Sequence, residues 1–144
     1  MNILMKKIEY GTEEYEKSID IRNHAFRIPW GLDIRDEDLT GDADMDMYVG
    51  YLDGEMIATV FLTEDDSKTA RVKSVAILEE YRVKGLGTYL MDFVEEIARE
   101  RGYTKVHLMG RVSVEGFYHK LGYKTLSDPF DYHTIPHINM EKQL

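Results

Sequence analysis

The sequence contains no cysteine, which removes disulfides, thiolate metal sites and a cysteine nucleophile together. Its prolines are three, Pro29, Pro129 and Pro136, so residues 30–128 hold none and contain no break resembling a linker. No apolar run approaches the roughly 18 residues of a bilayer crossing, and residues 1–10 lack a secretory core followed by a small-residue cleavage site. A soluble, cytoplasmic protein that engages no membrane is therefore expected. Basic side chains are the minority, 18 against 27 acidic ones, for a formal charge of −9. Nonspecific nucleic-acid binding needs clustered Lys and Arg and is not expected; the acidity suits a cationic substrate better. What remains is ordinary globular usage, 43% hydrophobic and 31% charged over 144 residues, too apolar for disorder and sized for one domain spanning residues 1–144.

The chain divides into alternating elements. Residues 3–9 read as a strand. Thr12 before Glu13 and Glu14 is an N-cap with acids in the first turn, and Tyr15, Ile19, Arg22 and Phe26 recur at helical spacing, ending before Pro29. Between Gly31 and Met47 lie the acids Asp33, Asp36, Glu37, Asp38, Asp42, Asp44 and Asp46, an exposed loop with room for one helical turn. Residues 47–52 and 56–63 flank Asp53-Gly54, a hairpin signal. A turn at 64–68 leads into a central strand at 70–78. Leu86, Leu90, Phe93, Val94, Ile97 and Ala98 mark one face of a long helix, with Asp92, Glu95, Glu96 and Arg99 opposite and Gly102 as its stop. A strand at 103–109, a short helix at 113–121, a strand at 123–126 and a final one near 135–140 follow. This order predicts a mixed α/β (α+β) architecture with helices on both faces of the sheet.

The junction at residues 75–88 carries the chemistry. A buried strand passes through a short polar loop into a glycine-marked helix start, where free backbone N–H groups and the positive helix end favour an anion. Gly85 and Gly87 leave that backbone unshielded, and Arg82 and Lys84 add charge at the rim. A diphosphate cradle is one reading; close packing of helix on strand is the plain alternative. A P-loop is excluded because Leu86, Gly87 and Thr88 stand where its Gly-Lys-[Ser/Thr] would be, and a dinucleotide fingerprint because position 90 is Leu.

Arg82-Val83-Lys84-Gly85-Leu86-Gly87 resembles the [Q/R]-x-x-G-x-[G/A] fingerprint of the GNAT superfamily of acyl-CoA-dependent N-acyltransferases. Downstream, Gly116-Phe117-Tyr118-His119-Lys120-Leu121-Gly122-Tyr123 resembles that superfamily's second segment, one helix and one strand later. Arg22, Arg27, Pro29 and Gly31, with Ile135-Pro136-His137 and Met140, are similar to a branch of small members. The resemblance implies a mostly antiparallel mixed sheet of about six or seven strands with about four helices. It implies acetyl-CoA as cosubstrate, no metal, and an amine-bearing acceptor, small molecule or peptide. The backbone of Val83, Lys84, Gly85, Leu86, Gly87 and Thr88, beside Arg82, would hold the diphosphate. Val75, Ala76 and Ile77 would pair with the pantetheine arm where the sheet splays, one amide polarising the thioester carbonyl. Tyr118 would be the general acid for the departing thiolate, with Phe117 and Arg111 near the coenzyme; a direct transfer without a covalent enzyme intermediate is expected. The sequence does not identify the general base: Glu79 and Glu80 read as solvated, the acids of the loop and of the first helix could bind or deprotonate a cation, and His137 either lines the acceptor cleft or hydrogen-bonds at a strand start. A noncatalytic acyl-CoA-binding or regulatory module is the alternative, and the oligomeric state is open, a homodimer included.

Other signals point away from function. Asp42, Asp44, Asp46 and Asp53 imitate a calcium loop, but Met47 stands where its sharp turn requires glycine. His133 and His137 are separated by Pro136, which prevents the helix that would align them, and no G-x-S-x-G elbow exists.

Overall fold

The computed structural model describes residues 2–82 and 85–144; Val83 and Lys84, predicted to contribute to the cradle, lie outside them. The chain opens with β1 (Leu4–Ile8) and α1 (Glu13–Phe26). Thr12 Oγ1 caps α1, accepting from Tyr15 N at 3.2 Å and donating to Glu9 O at 2.7 Å. Three 3₁₀ turns follow, Ile28–Trp30, Ile34–Asp36 and Thr40–Asp44. Then come β2 (Asp46–Leu52) and β3 (Glu55–Asp66), joined at Asp53 and Gly54, which both have positive φ (50° and 82°) as a two-residue hairpin turn requires. β4 (Thr69–Ile77), α2 (Leu86–Glu100), β5 (Lys105–Arg111), α3 (Glu115–Lys120), β6 (Lys124–Thr125), β7 (Phe130–Tyr132) and β8 (Ile135–Gln143) complete the chain.

The sheet runs β1-β2-β3-β4-β5-β8-β6, with β7 also on β8. All pairs are antiparallel except β4 with β5. The mixed, mostly antiparallel architecture is as expected, but the described residues form eight strands and three α-helices rather than six or seven and four. No fourth helix forms at 28–44, because Pro29 and the left-handed Gly31 (φ 74°) divide that segment into single turns. The extra strand, β7, returns to β8 through His133 and Thr134 at φ 50° and 66°, a turn without the usual glycine or asparagine.

Strand alternation sends side chains into two apolar layers. Met47, Val49 and Phe61 pack with Ile19 and Ile21 of α1, whereas Val60, Leu62 and Val72 pack with Leu90, Met91 and Val94 of α2. One assignment is corrected. Glu95, expected on the solvent face of α2, is 1% exposed, because its carboxylate accepts from Tyr123 Oη at 2.8 Å and Lys142 Nζ at 2.7 Å. Those donors satisfy the buried charge.

The feature that positions the site is a failure of pairing. β4 and β5 pair from Thr69↔Lys105 to Val72↔Leu108 and no further. Between Phe61↔Lys73 and Thr59↔Ala76, β4 advances one residue more than β3, a bulge with Ser74 at φ 55° and its carbonyl accepting from Thr59 Oγ1 at 2.7 Å. The bulge turns β4 away from β5, and the parallel strands diverge beside Val75, Ala76 and Ile77.

Candidate active site

The wedge between β4 and β5 opens into two cavities of about 380 Å³ each. One lies toward the start of α2 and is lined by Val75, Ala76, Ile77, Arg82, Gly85, Leu86, Gly87, Thr88 and Phe117. Gly85 occupies the cap of α2 at φ 84°, a left-handed conformation natural to glycine, and no side chain caps the helix. The amides of Leu86, Gly87 and Thr88 consequently have no acceptor among the described residues, as expected of a first helical turn. A Cβ at Gly87 would stand 2.9 Å from Phe117 Cζ. The packing reading of this glycine is met by that contact, and Gly87 also lines the cavity. Arg82 folds back to donate from Nε to Ile77 O at 2.8 Å, holding its guanidinium near the end of β4.

The second cavity lies toward α1 and the acidic loop, with Phe26, Met45, Lys73, Gly110 and His137 among its walls. Val75, Arg111 and Tyr118 line both cavities, so the two meet at these three side chains. Tyr118 is 7% exposed. Its ring packs edge-on against Phe117 and Tyr123, with centroids at 5.0 and 5.6 Å, and a Cβ on Gly110 would be 3.3 Å from it. Its hydroxyl makes no hydrogen bond among the described residues. Burial pushes the phenol up to about 12 against an opposing pull from Arg111, so it keeps its proton at neutral pH. Arg111 reaches across to α1, where Nη1 donates to Ala25 O at 3.2 Å and the guanidinium lies over the rings of Phe26 and Trp30.

The acidic loop is not a free array of carboxylates. Asp42 is buried and accepts from Arg22 Nη1 at 2.8 Å and Tyr15 Oη at 2.7 Å. Glu37 pairs with Arg27 at 2.6 Å, Asp33 caps a turn through Arg35 N and Asn23, and Asp46 pairs with Arg101 and Lys7. Asp38, exposed on the cavity wall, accepts from Thr40 N and Oγ1, which holds its carboxyl below the usual range. Glu79 and Glu80 are exposed in a 3₁₀ turn and line neither cavity.

His137 does two things that the sequence offered as alternatives. Its Nδ1 lies 2.7 Å from Ile135 O at the start of β8, and the ring lines the second cavity. Because that carbonyl can only accept, Nδ1 carries the hydrogen and Nε2 the lone pair. Burial, with Arg111 and Arg27 adding repulsion, lowers its pKa below the ordinary imidazole value. His137 and Arg111 are direct cross-strand partners and so share one face of the sheet. The ring stacks near Phe130 and meets Tyr132 edge-on, a packing supplied by the unforeseen β7. Sequence reasoning also missed Phe26 and Trp30 as neighbours of Arg111, and Ser74 as the bulge residue. No local signal marks any of these. Among the described residues no group of three or more His, Asp or Glu side chains is arranged to hold a metal ion.

The chain is similar to known proteins in sequence and in shape. A family model described as the acetyltransferase (GNAT) family matches residues 12–123. An uncharacterised N-acetyltransferase of Chlorobaculum tepidum is 31% identical over 85 residues, 59% of this chain and 54% of the relative; the chain spans about half the length of such curated relatives. Escherichia coli ElaA is 26% identical over 115 residues, 78% of this chain and 74% of that protein. A crystal structure of an N-acetyltransferase from Lactobacillus plantarum superposes with a TM-score of 0.81 at 26% identity, covering 97% of this chain and 98% of the other. A GNAT acetyltransferase of Elizabethkingia anophelis, solved with acetyl-CoA bound, has a TM-score of 0.74 at 22% identity over 99% of each chain and supports the fold alone. With the family model covering most of its length, the chain belongs to the GNAT acetyltransferase family.

Proposed function

We propose that this chain is an N-acetyltransferase that moves an acetyl group from acetyl-CoA directly to a primary amine. The observation that carries the reading is the meeting of two cavities at Val75, Arg111 and Tyr118, one beside an uncapped helix start and the other beside a neutral imidazole. The residues present fit an acyl-CoA: among the described residues, the first cavity has helix-start amides without an acceptor at one end and an unpaired strand edge along its side. Membership of an acetyltransferase family supports an acetyl donor of this kind. When bound, that cosubstrate supplies the acetyl group already activated as a thioester.

The amides of Leu86, Gly87 and Thr88, with Arg82 at the rim, hold the diphosphate. The β5-facing edge of Val75, Ala76 and Ile77 takes the pantetheine as an added strand and directs one amide at the carbonyl oxygen. Tyr118 donates its phenolic hydrogen bond to the departing sulfur. His137 Nε2 accepts the proton of the attacking amine, directly or through water; an imidazole held below about 6.5 is neutral at pH 7 and free to do so. The rest of the rate gain comes from holding both reactants in one wedge.

The test is thiol release from acetyl-CoA with a panel of primary amines, alongside calorimetric titration of acetyl-CoA. Saturable binding with acceptor-dependent release supports the reading. Binding without release from any amine favours a noncatalytic acyl-CoA-binding module, and absence of binding overturns both.

A further inference from the structure

The cavity on the α1 side is lined by more cations than carboxylates, in a chain whose formal charge is −9. Five cations line it, Arg22, Arg27, Arg71, Lys73 and Arg111, against the three carboxylates of Glu37, Asp38 and Asp42. Three of the cations are already answered: Arg22 by Asp42 at 2.8 Å, Arg27 by Glu37 at 2.6 Å and Arg71 by Asp65 at 2.6 Å. Lys73 and Arg111 have no carboxylate partner among the described residues, and the one carboxylate left over, Asp38, is exposed at the wall. The net acidity of the sequence, which suited a cationic substrate, is thus not the charge of this cavity.

Arg111 is the more informative of the two cations. Lys73 is exposed and solvated, whereas Arg111 is half-buried. Its only hydrogen bond among the described residues is to Ala25 O, which leaves most of the five N–H donors of its guanidinium uncommitted. Its pKa is lowered by burial and by nearby Arg82, the mark of a cation held without a counterion. The guanidinium carbon lies over the rings of Phe26 and Trp30 at 5.5 and 5.3 Å from their centroids, contacts that hold the group in place without using its N–H donors on an acid. An open guanidinium fork matches a carboxylate in bidentate geometry. The diphosphate end of the coenzyme cavity has donors of its own in Arg82 and the α2 amides.

We propose that the acceptor is a zwitterionic amino acid whose carboxylate is held by Arg111, with Lys73 reinforcing the positive field. This rests on the acyltransferase reading above. Because Arg111 shares the seam of the two cavities with Tyr118 and Val75, a carboxylate on its fork keeps the amine within a few bonds of the reacting centre. An α- or β-amino acid satisfies that spacing; a polyamine or a protein lysine offers no carboxylate there.

The experiment compares matched acceptors with the whole chain: L-methionine against 3-(methylthio)propylamine, L-phenylalanine against phenethylamine, and L-tryptophan against tryptamine. At saturating acetyl-CoA, thiol release with at least one amino acid is expected to exceed that with its decarboxylated partner by about 100-fold in kcat/KM. Arg111→Gln is expected to erase that preference by raising KM for the amino acid far more than for its decarboxylated partner, with Arg111→Lys recovering part of it. Lys73→Gln, at an exposed position, is expected to raise KM only about threefold, with salt producing a similar loss in the parent. Acetyl-CoA binding with the amines turned over as well as the amino acids, or with neither class turned over, overturns the carboxylate site. So does an Arg111→Gln enzyme that loses acetyl-CoA affinity and keeps its amino-acid preference. Failure to bind acetyl-CoA overturns the acyltransferase reading instead.

Discussion

Replacing Tyr118 by Phe isolates one hydroxyl. That hydroxyl has no hydrogen-bond partner among the described residues, and the ring keeps its contacts with Phe117 and Tyr123, so stability should change by less than about 0.5 kcal/mol. The effect on turnover can be bounded. A phenol pushed up to about 12 faces a thiol of ordinary pKa about 8.5. Full proton transfer to the thiolate is then uphill by roughly 5 kcal/mol, so Tyr118 acts mainly by donating a hydrogen bond as charge develops on sulfur. A hydrogen bond to a charged group contributes about 1.5–3 kcal/mol, or about 10- to 150-fold in rate. The account therefore predicts a fall in kcat of that size for Tyr118→Phe, measured by thiol release at saturating acetyl-CoA, with the coenzyme Kd within about twofold. An unchanged kcat refutes the role. A loss near 10⁴-fold refutes the reasoning on its magnitude.

Three further outcomes follow from the geometry. His137→Gln should lower kcat by about 100-fold, the low end for a lost general base; in the parent, activity is lost as pH falls through the His137 pKa, which burial places below about 6.5, and the variant should lack that acid limb. Gly87→Glu puts a carboxylate among the α2 amides and, through its Cβ, presses on Phe117 at 2.9 Å; calorimetry should find acetyl-CoA bound about 30-fold more weakly, or about 2 kcal/mol. Glu95→Ala strands Lys142 and the Tyr123 hydroxyl, and urea denaturation should register a loss of about 3 kcal/mol, toward the lower end for breaking a buried pair because Lys142 stays 21% exposed, whereas Glu95→Gln, which keeps an acceptor for Tyr123, should lose less.

What the sequence revealed and what it hid divide along the range of the interactions involved. The Asp53-Gly54 hairpin, the Thr12 cap and the glycine-marked start of α2 are decided by neighbours within a few positions, and each was legible. Glu95 was misplaced because its partners, Tyr123 and Lys142, lie 28 and 47 positions away, and a charged residue at helical spacing reads as solvent-facing until they are known. The acidic loop read as an exposed run of free acids for the same reason: the arginines that occupy Asp42 and Glu37 come from α1 and its end. The splay of β4 from β5 depends on a bulge at Ser74, whose left-handed backbone is anchored by Thr59 from the neighbouring strand. Arg111 was expected near the coenzyme, yet the aromatic pair around it, and its lack of an acid partner among the described residues, emerge only when α1 and the turn after it are packed on the sheet.

The most direct measurement of the central claim is a crystal structure with acetyl-CoA bound. The account predicts the diphosphate on the amides of Leu86, Gly87 and Thr88, the pantetheine along the free edge of β4, and the sulfur within about 3.5 Å of the Tyr118 hydroxyl. Acetyl-CoA bound elsewhere, or lying in the wedge with its sulfur out of reach of Tyr118, would contradict it.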